Sequence, residues 1–347
     1  MQEHSFIFSF KLISKALVFF TIVMIVLNYA GAEYFQAAKE NTINEFTAKR
    51  YSEFYEQEKD SIDLVFLGSS HSYCTFDPEI IDEALGTNSW QLGTPSQHPN
   101  TTYYVLKEVL NHQSPKTVVM EVYWGLCDKE FEPKQADSFL EVLNNDDLKD
   151  EFLTKGFPIG EQVKYNIPAI RFQQDYFAYK SSEKEKELEE EYNVSKPWQA
   201  PANGIEYYRS KGYVYCDIII DEIEFDKTNQ FKGFDGKRWN FNNKQKEYLE
   251  KIVELCIENN IELIFVTAPV ANVSMDFIEN YSAVNEKVSD FAKKQDVPYV
   301  DYNIINMEEE LFTNDNFRDD AHLNHSGVEI LDKEFIKWVK ENNLIIR

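Results

Sequence analysis

The 347-residue sequence is short of cysteine, of phosphate-binding glycine motifs and of positive charge. Its four cysteines are Cys74, Cys127, Cys216 and Cys256, and no two form a CxxC pair, which argues against a zinc site. Cys256 falls on the apolar side of a helix pattern with Leu249, Ile252 and Val253 and reads as buried. Cys74 and Cys127 both follow expected strands, and an oxidising compartment could pair them. No glycine-rich loop ends in Gly-Lys-Ser or Gly-Lys-Thr, and no G-x-G-x-x-G turn occurs, so nucleotide-phosphate binding has no motif. His71, His98, His112 and His325 lack a metal-ligand spacing, and the reading calls for no metal and no organic cofactor. Only 35 basic residues stand against 60 acidic ones, a formal charge of -25. That excludes nucleic acid as a partner and disfavours adsorption of the main domain onto anionic lipid. No internal repeat is present.

One long apolar run does occur. Residues 16–32 read ALVFFTIVMIVLNYAGA, without charge, behind Lys11 and Lys15. With Leu12 and Ile13 added and Lys15 snorkelling, the run is long enough to cross a bilayer. Basic residues on its N-terminal side predict the N-terminus inside and the rest of the chain outside. The expectation is a single-pass protein of the cell membrane with an extracytoplasmic C-terminal domain. The alternative is a secreted protein whose signal peptide is cut near Ala30-Gly31-Ala32.

Residues 1–33 thus read as a cytoplasmic stub and anchor, 34–60 as a juxtamembrane helix, and 61–347 as one domain. Within that domain strands and helices alternate. IDLVFL at 62–67 is a short apolar run ending at Gly68, as in a buried parallel strand. A strand near Ser89–Leu92 ends at Gly93, and TVVMEVYW at 117–124 is a third. IELIFVTAP at 261–269 and VPYVD at 297–301 follow, with helices between and a closing helix marked by Val328, Leu331, Phe335 and Val339. This βαβαβ…αβαβα order predicts a parallel sheet covered on both faces, with ligands at the carboxyl ends of its strands. The alternation breaks at about 126–240, which reads as an insertion. It holds an acidic run at 181–192, Trp198, and an aromatic stretch with Tyr207, Tyr208, Tyr213 and Tyr215. That stretch suits a substrate wall or a satellite core.

Three features carry chemistry. In LGSSHSY at 67–73 a glycine ends a buried strand, and Ser70 then sits at the start of the next helix, where its own N–H faces a developing oxyanion. In FRDDAHLNHSG at 317–327, Asp319 and His322 are three apart, so a helix-like turn brings them together. A carboxylate on one imidazole nitrogen leaves the other to take a serine proton. Asp320 would face elsewhere. In SWQLGTPSQ, Gly93 ends the second strand and lets the backbone approach, with an N–H to offer. Each alone fits a turn or a helix cap as well.

Together, Gly-x-Ser after the first strand, Gly after the second, and Asp-x-x-His-Leu-Asn-x-x-Gly near the C-terminus resemble the SGNH (GDSL-type) hydrolase superfamily. The resemblance covers about 62–125 and 245–345. It implies a flavodoxin-like three-layer α/β/α sandwich with a parallel sheet. It also implies a triad of Ser70, Asp319 and His322 and an oxyanion hole from the N–H groups of Ser70 and Gly93. His71, His98, Tyr123 and Trp124 are candidates for substrate contact. The sequence departs from the pattern in having Ser69 before the nucleophile and Tyr123-Trp124 in place of the third-block Asn. These departures and the anchor are similar to the DltD-like and alginate-acetyltransferase-like branch.

The resemblance implies O-acyl transfer or hydrolysis on a cell-envelope polysaccharide or polymer, with a membrane-bound O-acyltransferase as a candidate partner. Transfer is the reading taken, with extra walls expected from the insertion. The alternative is a non-catalytic module that binds an envelope glycan or a partner on the same fold.

Overall fold

The computed structural model describes residues 2–42, 44–173, 176–177, 198–200 and 204–344. The acidic run at 181–192 lies outside the described residues. The chain forms two compact units, one of Met1–Asn44 with Asp150–Glu191 and one of Glu45–Lys149 with Tyr192–Arg347.

In the first unit one helix runs from Gln2 to Thr42. Its stretch Phe10–Phe35 has a mean hydropathy of 2.2, long and apolar enough to cross a membrane. Two short helices from the insertion, Ile159–Tyr165 and Pro168–Arg171, belong to the same unit.

Among the described residues the second unit contains ten strands: β1 (Leu64–Leu67), β2 (Ser89–Gln91), β3 (Thr117–Glu121), β4 (Trp198–Ala200), β5 (Gly204–Ser210), β6 (Tyr213–Cys216), β7 (Phe234–Asp235), β8 (Glu262–Thr267), β9 (Ile278–Glu279) and β10 (Tyr299–Asp301). Five make one parallel sheet in the order β10-β8-β3-β1-β2. Taken in chain order these are strands 5-4-3-1-2, the flavodoxin-like winding. All four residues of β1 and all five of β3 are buried, as a two-sided sheet requires. Leu64 and Phe66 join the core formed with Ile81, Leu85, Leu331 and Phe335 from helices Pro78–Leu85 and His325–Asn342. Helices Pro99–His112 and Asn243–Glu258 pair with each other, bringing the Tyr104 and Tyr248 rings to 6.3 Å.

Two of the helices packed on the sheet start at capping side chains. Asp77 caps its helix through the Glu79 N–H and Pro78 fills the first helical position. Asn324 caps the last helix through the Gly327 N–H.

The structure differs from the expected organisation in three places. The N-terminal helix continues to Thr42, and the following helix, Glu45–Tyr55, buries Arg50, Tyr51 and Phe54 within the second unit. The third strand stops at Glu121, because Tyr123 caps a one-turn helix, Trp124–Cys127. The insertion is divided between the two units. Its part in the second unit includes the antiparallel β4-β5-β6 sheet, whose β5–β6 turn closes the edge of β2: the Gln91 N–H donates to Lys211 O at 2.9 Å. Gly212 at that turn has φ 87°, and a Cβ there would meet Gln91 O at 2.2 Å, so only glycine fits.

Candidate active site

The carboxyl ends of β1, β2 and β3 meet around one cavity. After β1 the chain turns at Gly68, φ 138°, where a Cβ would lie 2.9 Å from Glu121 Cβ. Ser69 is extended, and its hydroxyl caps the His71 N–H at 3.2 Å. Ser70 opens the one-turn helix Ser70–Tyr73. Its N–H has no acceptor among the described residues.

The second arm is the loop 317–323, pinned by the Phe317–Leu323 bridge and by the Arg318 N–H donating to His322 O at 3.0 Å. Asp319 Oδ1 accepts from the N–H groups of Ala321 and His322, both at 2.8 Å. His322 Nδ1 lies 2.9 Å and 3.0 Å from the two Asp319 oxygens, and Nε2 lies 2.8 Å from Ser70 Oγ. A carboxylate accepts only, so Nδ1 carries the proton and Nε2 is left to accept from Ser70. Burial alone would raise the Asp319 pKa. Its electrostatic coupling and hydrogen bond to His322, the Ala321 N–H and Arg318 outweigh burial and hold the carboxyl well below its usual range. Arg318 is itself paired with Glu206 of β5 at 2.6 Å. Asp320 faces away and accepts from the Gln230 N–H at 3.1 Å and its side chain at 2.8 Å, tying the insertion to this loop.

Gly93 is close to the serine loop but differently employed than expected. A Cβ on it would meet Ser69 O at 2.8 Å, so glycine allows the two turns to touch. Its N–H donates to Gln91 Oε1 at 3.1 Å and its carbonyl accepts from the buried Arg50 at 2.6 Å. That N–H is therefore engaged away from the cavity. The free donor in the same loop belongs to Ser96, which lines the cavity with φ 52° and has no acceptor for its N–H among the described residues. A left-handed serine is uncommon. Nothing in the Thr94-Pro95-Ser96 sequence distinguishes it from an ordinary turn, which is why the sequence pointed to the glycine.

The other candidates divide. His71 is buried, its ring stacked on Tyr123 at 3.8 Å and 4.6 Å from His322. Burial, then the neighbouring His322, lowers its pKa well below the ordinary value against a weaker opposing pull from Asp319, so it is neutral at pH 7. Tyr123 lies on His71 because Gly125 leaves room: a Cβ there would fall 2.7–2.9 Å from the Tyr123 ring and hydroxyl. Trp124 is buried against Phe231 and Phe234, and its carbonyl accepts from Trp239 Nε1 at 2.9 Å. His98 starts the helix after β2. Its Nδ1 accepts from Gln245 at 3.2 Å, and burial followed by Lys129 lowers its pKa to about 4.

The cavity measures about 370 Å³. Its walls come from the segment after β3, with Tyr123, Trp124, Asp128 and Glu132, and from Gln230, Phe231 and Phe234 of the insertion. The aromatic stretch 207–215 is not among them. Tyr213 joins the core and bonds His325 at 2.9 Å, Tyr215 packs on that ring, and Tyr208 bonds Glu53. Of the two uses open to that stretch, packing is the one observed. All four cysteines are buried and unpaired, so Cys74 and Cys127 form no bridge. Among the described residues no group of three or more His, Cys, Asp or Glu side chains is placed to hold a metal ion.

No family model matches the chain, and no curated protein matches its sequence. Solved structures give distant likenesses. A GDSL-like lipase from Bacteroides thetaiotaomicron aligns at 11% identity over 86% of this chain and 99% of its own, with TM-score 0.38. A lipase/acylhydrolase from Enterococcus faecalis aligns at 10% identity over 81% and 97%, with TM-score 0.36. The acetyl xylan esterase AlAXEase aligns at 11% identity over 80% and 100%, with TM-score 0.37.

Proposed function

We propose that the protein is a serine-dependent O-acyltransferase or esterase of SGNH type, acting through an acyl-enzyme on a cell-envelope polysaccharide or polymer. The observation that carries this is the relay Asp319–His322–Ser70, with both imidazole nitrogens engaged at 2.8–3.0 Å. His322 Nε2 takes the Ser70 proton as Oγ attacks the acyl carbon of a donor ester. The N–H groups of Ser70 and Ser96 receive the oxyanion, and Asp319 stabilises the imidazolium. His322 then protonates the leaving alkoxide. The second half runs in reverse, with a sugar hydroxyl or water losing its proton to His322 and taking the acyl group from Ser70. The Ser70 proton departs on the donor alcohol, and the acceptor's proton, handed on by His322, restores the Ser70 hydroxyl, so the cycle closes on the chain's own side chains.

Transfer to a glycan is the preferred outcome. The cavity combines aromatic faces from Tyr123, Trp124, Phe231 and Phe234 with the polar Asp128, Glu132 and Gln230. Aromatic rings and convergent polar groups suit a sugar ring. The N-terminal helix anchors the chain, and the second unit works outside the membrane beside a membrane-bound O-acyltransferase as partner.

The test loads Ser70 from an activated acetyl ester and offers cell-wall oligosaccharides. Acylated sugar should form faster than free acetate. Free acetate alone with every glycan, together with loss of esters from purified wall material, would make the protein a deacylase. No covalent labelling of Ser70 by a fluorophosphonate would remove the enzyme reading and leave the binding module.

A further inference from the structure

The N-terminal helix is bare along most of its length and covered at one end. From Leu12 to Tyr29 its large side chains are largely exposed, for example Leu17 at 63% and Ile25 at 64%. At Gly31 the cover begins abruptly: a Cβ there would sit 2.5 Å from Pro168 Cβ, so the helix Pro168–Arg171 touches the backbone itself. One turn on, Phe35 meets Phe172 at 4.8 Å and Tyr34 stacks on Tyr176 at 4.5 Å. At 1.5 Å per residue the bare stretch from Leu12 to Ala30 spans roughly 28 Å, close to the thickness of a bilayer's hydrocarbon core. The covering segment therefore begins where hydrocarbon should give way to headgroups, and Tyr29, Tyr34 and Tyr176 stand at the level favoured by interfacial aromatics.

That segment also has an apolar surface of its own. Among the described residues outside the N-terminal helix, eight large hydrophobics are exposed, and four of them are Ile159, Val163, Ile170 and Phe177. Ile159 and Val163 are four apart on one helix and share a face. The charge follows the same logic. Residues 150–177 carry three basic and four acidic side chains, whereas the whole chain carries -25. A strongly acidic chain is repelled by an anionic bilayer surface, and this segment is the near-neutral exception.

We propose that residues 159–173 with 176 and 177 form an interfacial foot, lying in the outer headgroup region and placing Ile159, Val163, Ile170 and Phe177 at the acyl boundary around the N-terminal helix. This rests on the reading of that helix as a membrane anchor. The foot adds a second, in-plane attachment next to the spanning one. Binding at the interface scales with the apolar area buried, to which attraction between basic residues and anionic lipid adds. The continuous seam from Gly31 to Phe35 favours lipid over a second protein, because the foot is held at the depth where lipid is already present.

The test uses the full-length chain in vesicles of phosphatidylcholine with a minority of phosphatidylglycerol. Nitroxides are placed at V163C, I170C, M24C and I257C. The four native cysteines are buried, and the unsubstituted chain supplies the blank. The readout is relaxation by oxygen, which partitions into lipid, against a water-soluble nickel chelate. Positions 163 and 170 should show an oxygen-to-nickel ratio several-fold above position 257 and approaching position 24. A water-like ratio at 163 and 170 with a lipid-like one at 24 overturns the foot and leaves the anchor standing. Shielding of 163 and 170 from both reagents means that protein covers them, which also overturns it. A water-like ratio at 24 removes the anchor, and the foot with it.

Discussion

The carboxyl of Glu121, the last residue of β3, accepts a hydrogen bond from Ser69 Oγ at 3.1 Å, directly behind the proposed nucleophile. It is buried, its second oxygen has no partner among the described residues, and burial raises its pKa to about 8 against weaker opposing bonds from Ser69. A carboxyl raised from an ordinary 4.5 binds more protons folded than unfolded between those two values. Stability contributed at this site is therefore intact near pH 4.5 and declines until about pH 8, where it levels off. E121Q keeps the shape and a partner for Ser69 but cannot ionise. Its stability relative to the natural protein should rise between about pH 5 and pH 8, by about 1 kcal/mol or more. Denaturant midpoints at four pH values check this. A difference independent of pH would mean that Glu121 does not titrate in that window.

The triad should act as a unit. S70A and H322A should each lower turnover on an activated acetyl ester by several orders of magnitude, on the order of other triad losses. Neither should change the unfolding midpoint much, since both side chains are partly exposed. D319A should cost far more activity than D320A. D320A should instead lower stability, because Asp320 binds Gln230 through two bonds. The reverse ranking in turnover would move the triad acid to Asp320.

How far the sequence revealed this site depends on the kind of signal. The five strands were legible because parallel strands buried on both faces read as short apolar runs, such as LVFL in β1. The Asp319–His322 pair was legible because its geometry is local, three residues in one turn. Glu121 was not, since an acid at a strand's end looks like a surface residue until Ser69 and Gly68 close over it. The cavity walls were not legible either. Phe231 and Phe234 reach Trp124 across more than a hundred residues, while the richer aromatic run at 207–215 was spent on packing. Aromatic content marks a need for burial without saying against what.

Ser96 tests the oxyanion assignment through its backbone. Its φ of 52° sets the turn at the cavity, where its N–H has no acceptor among the described residues. Glycine accepts that conformation and keeps the N–H, so S96G should retain activity within a few-fold. Valine resists it, because a β-branched residue with positive φ is strained. S96V should reduce kcat by about a hundredfold or more, the scale of one lost oxyanion donor, with a smaller change in KM. Full activity in S96V would show that the donor lies elsewhere.

Gly125 tests whether the aromatic wall is part of the acceptor site. The Tyr123 ring lies against this glycine's backbone and stacks on His71. A Cβ at Gly125 would approach the ring to 2.7 Å, closer than any stable contact, and that ring belongs to a half-buried side chain already stacked on His71. G125A should therefore displace Tyr123 and free the His71 ring without touching the relay between Ser70 and His322. Acylation by a small activated ester needs only Ser70, His322 and the oxyanion donors, so its rate should fall by less than about tenfold. Transfer to a glycan also needs the wall to hold the second substrate and delay water. The ratio of acylated sugar to free acetate should drop severalfold in G125A while the burst of Ser70 acylation persists. An unchanged ratio would place the acceptor against some other surface, and an equal loss of both steps would show that the His71–Tyr123 stack supports the nucleophile itself.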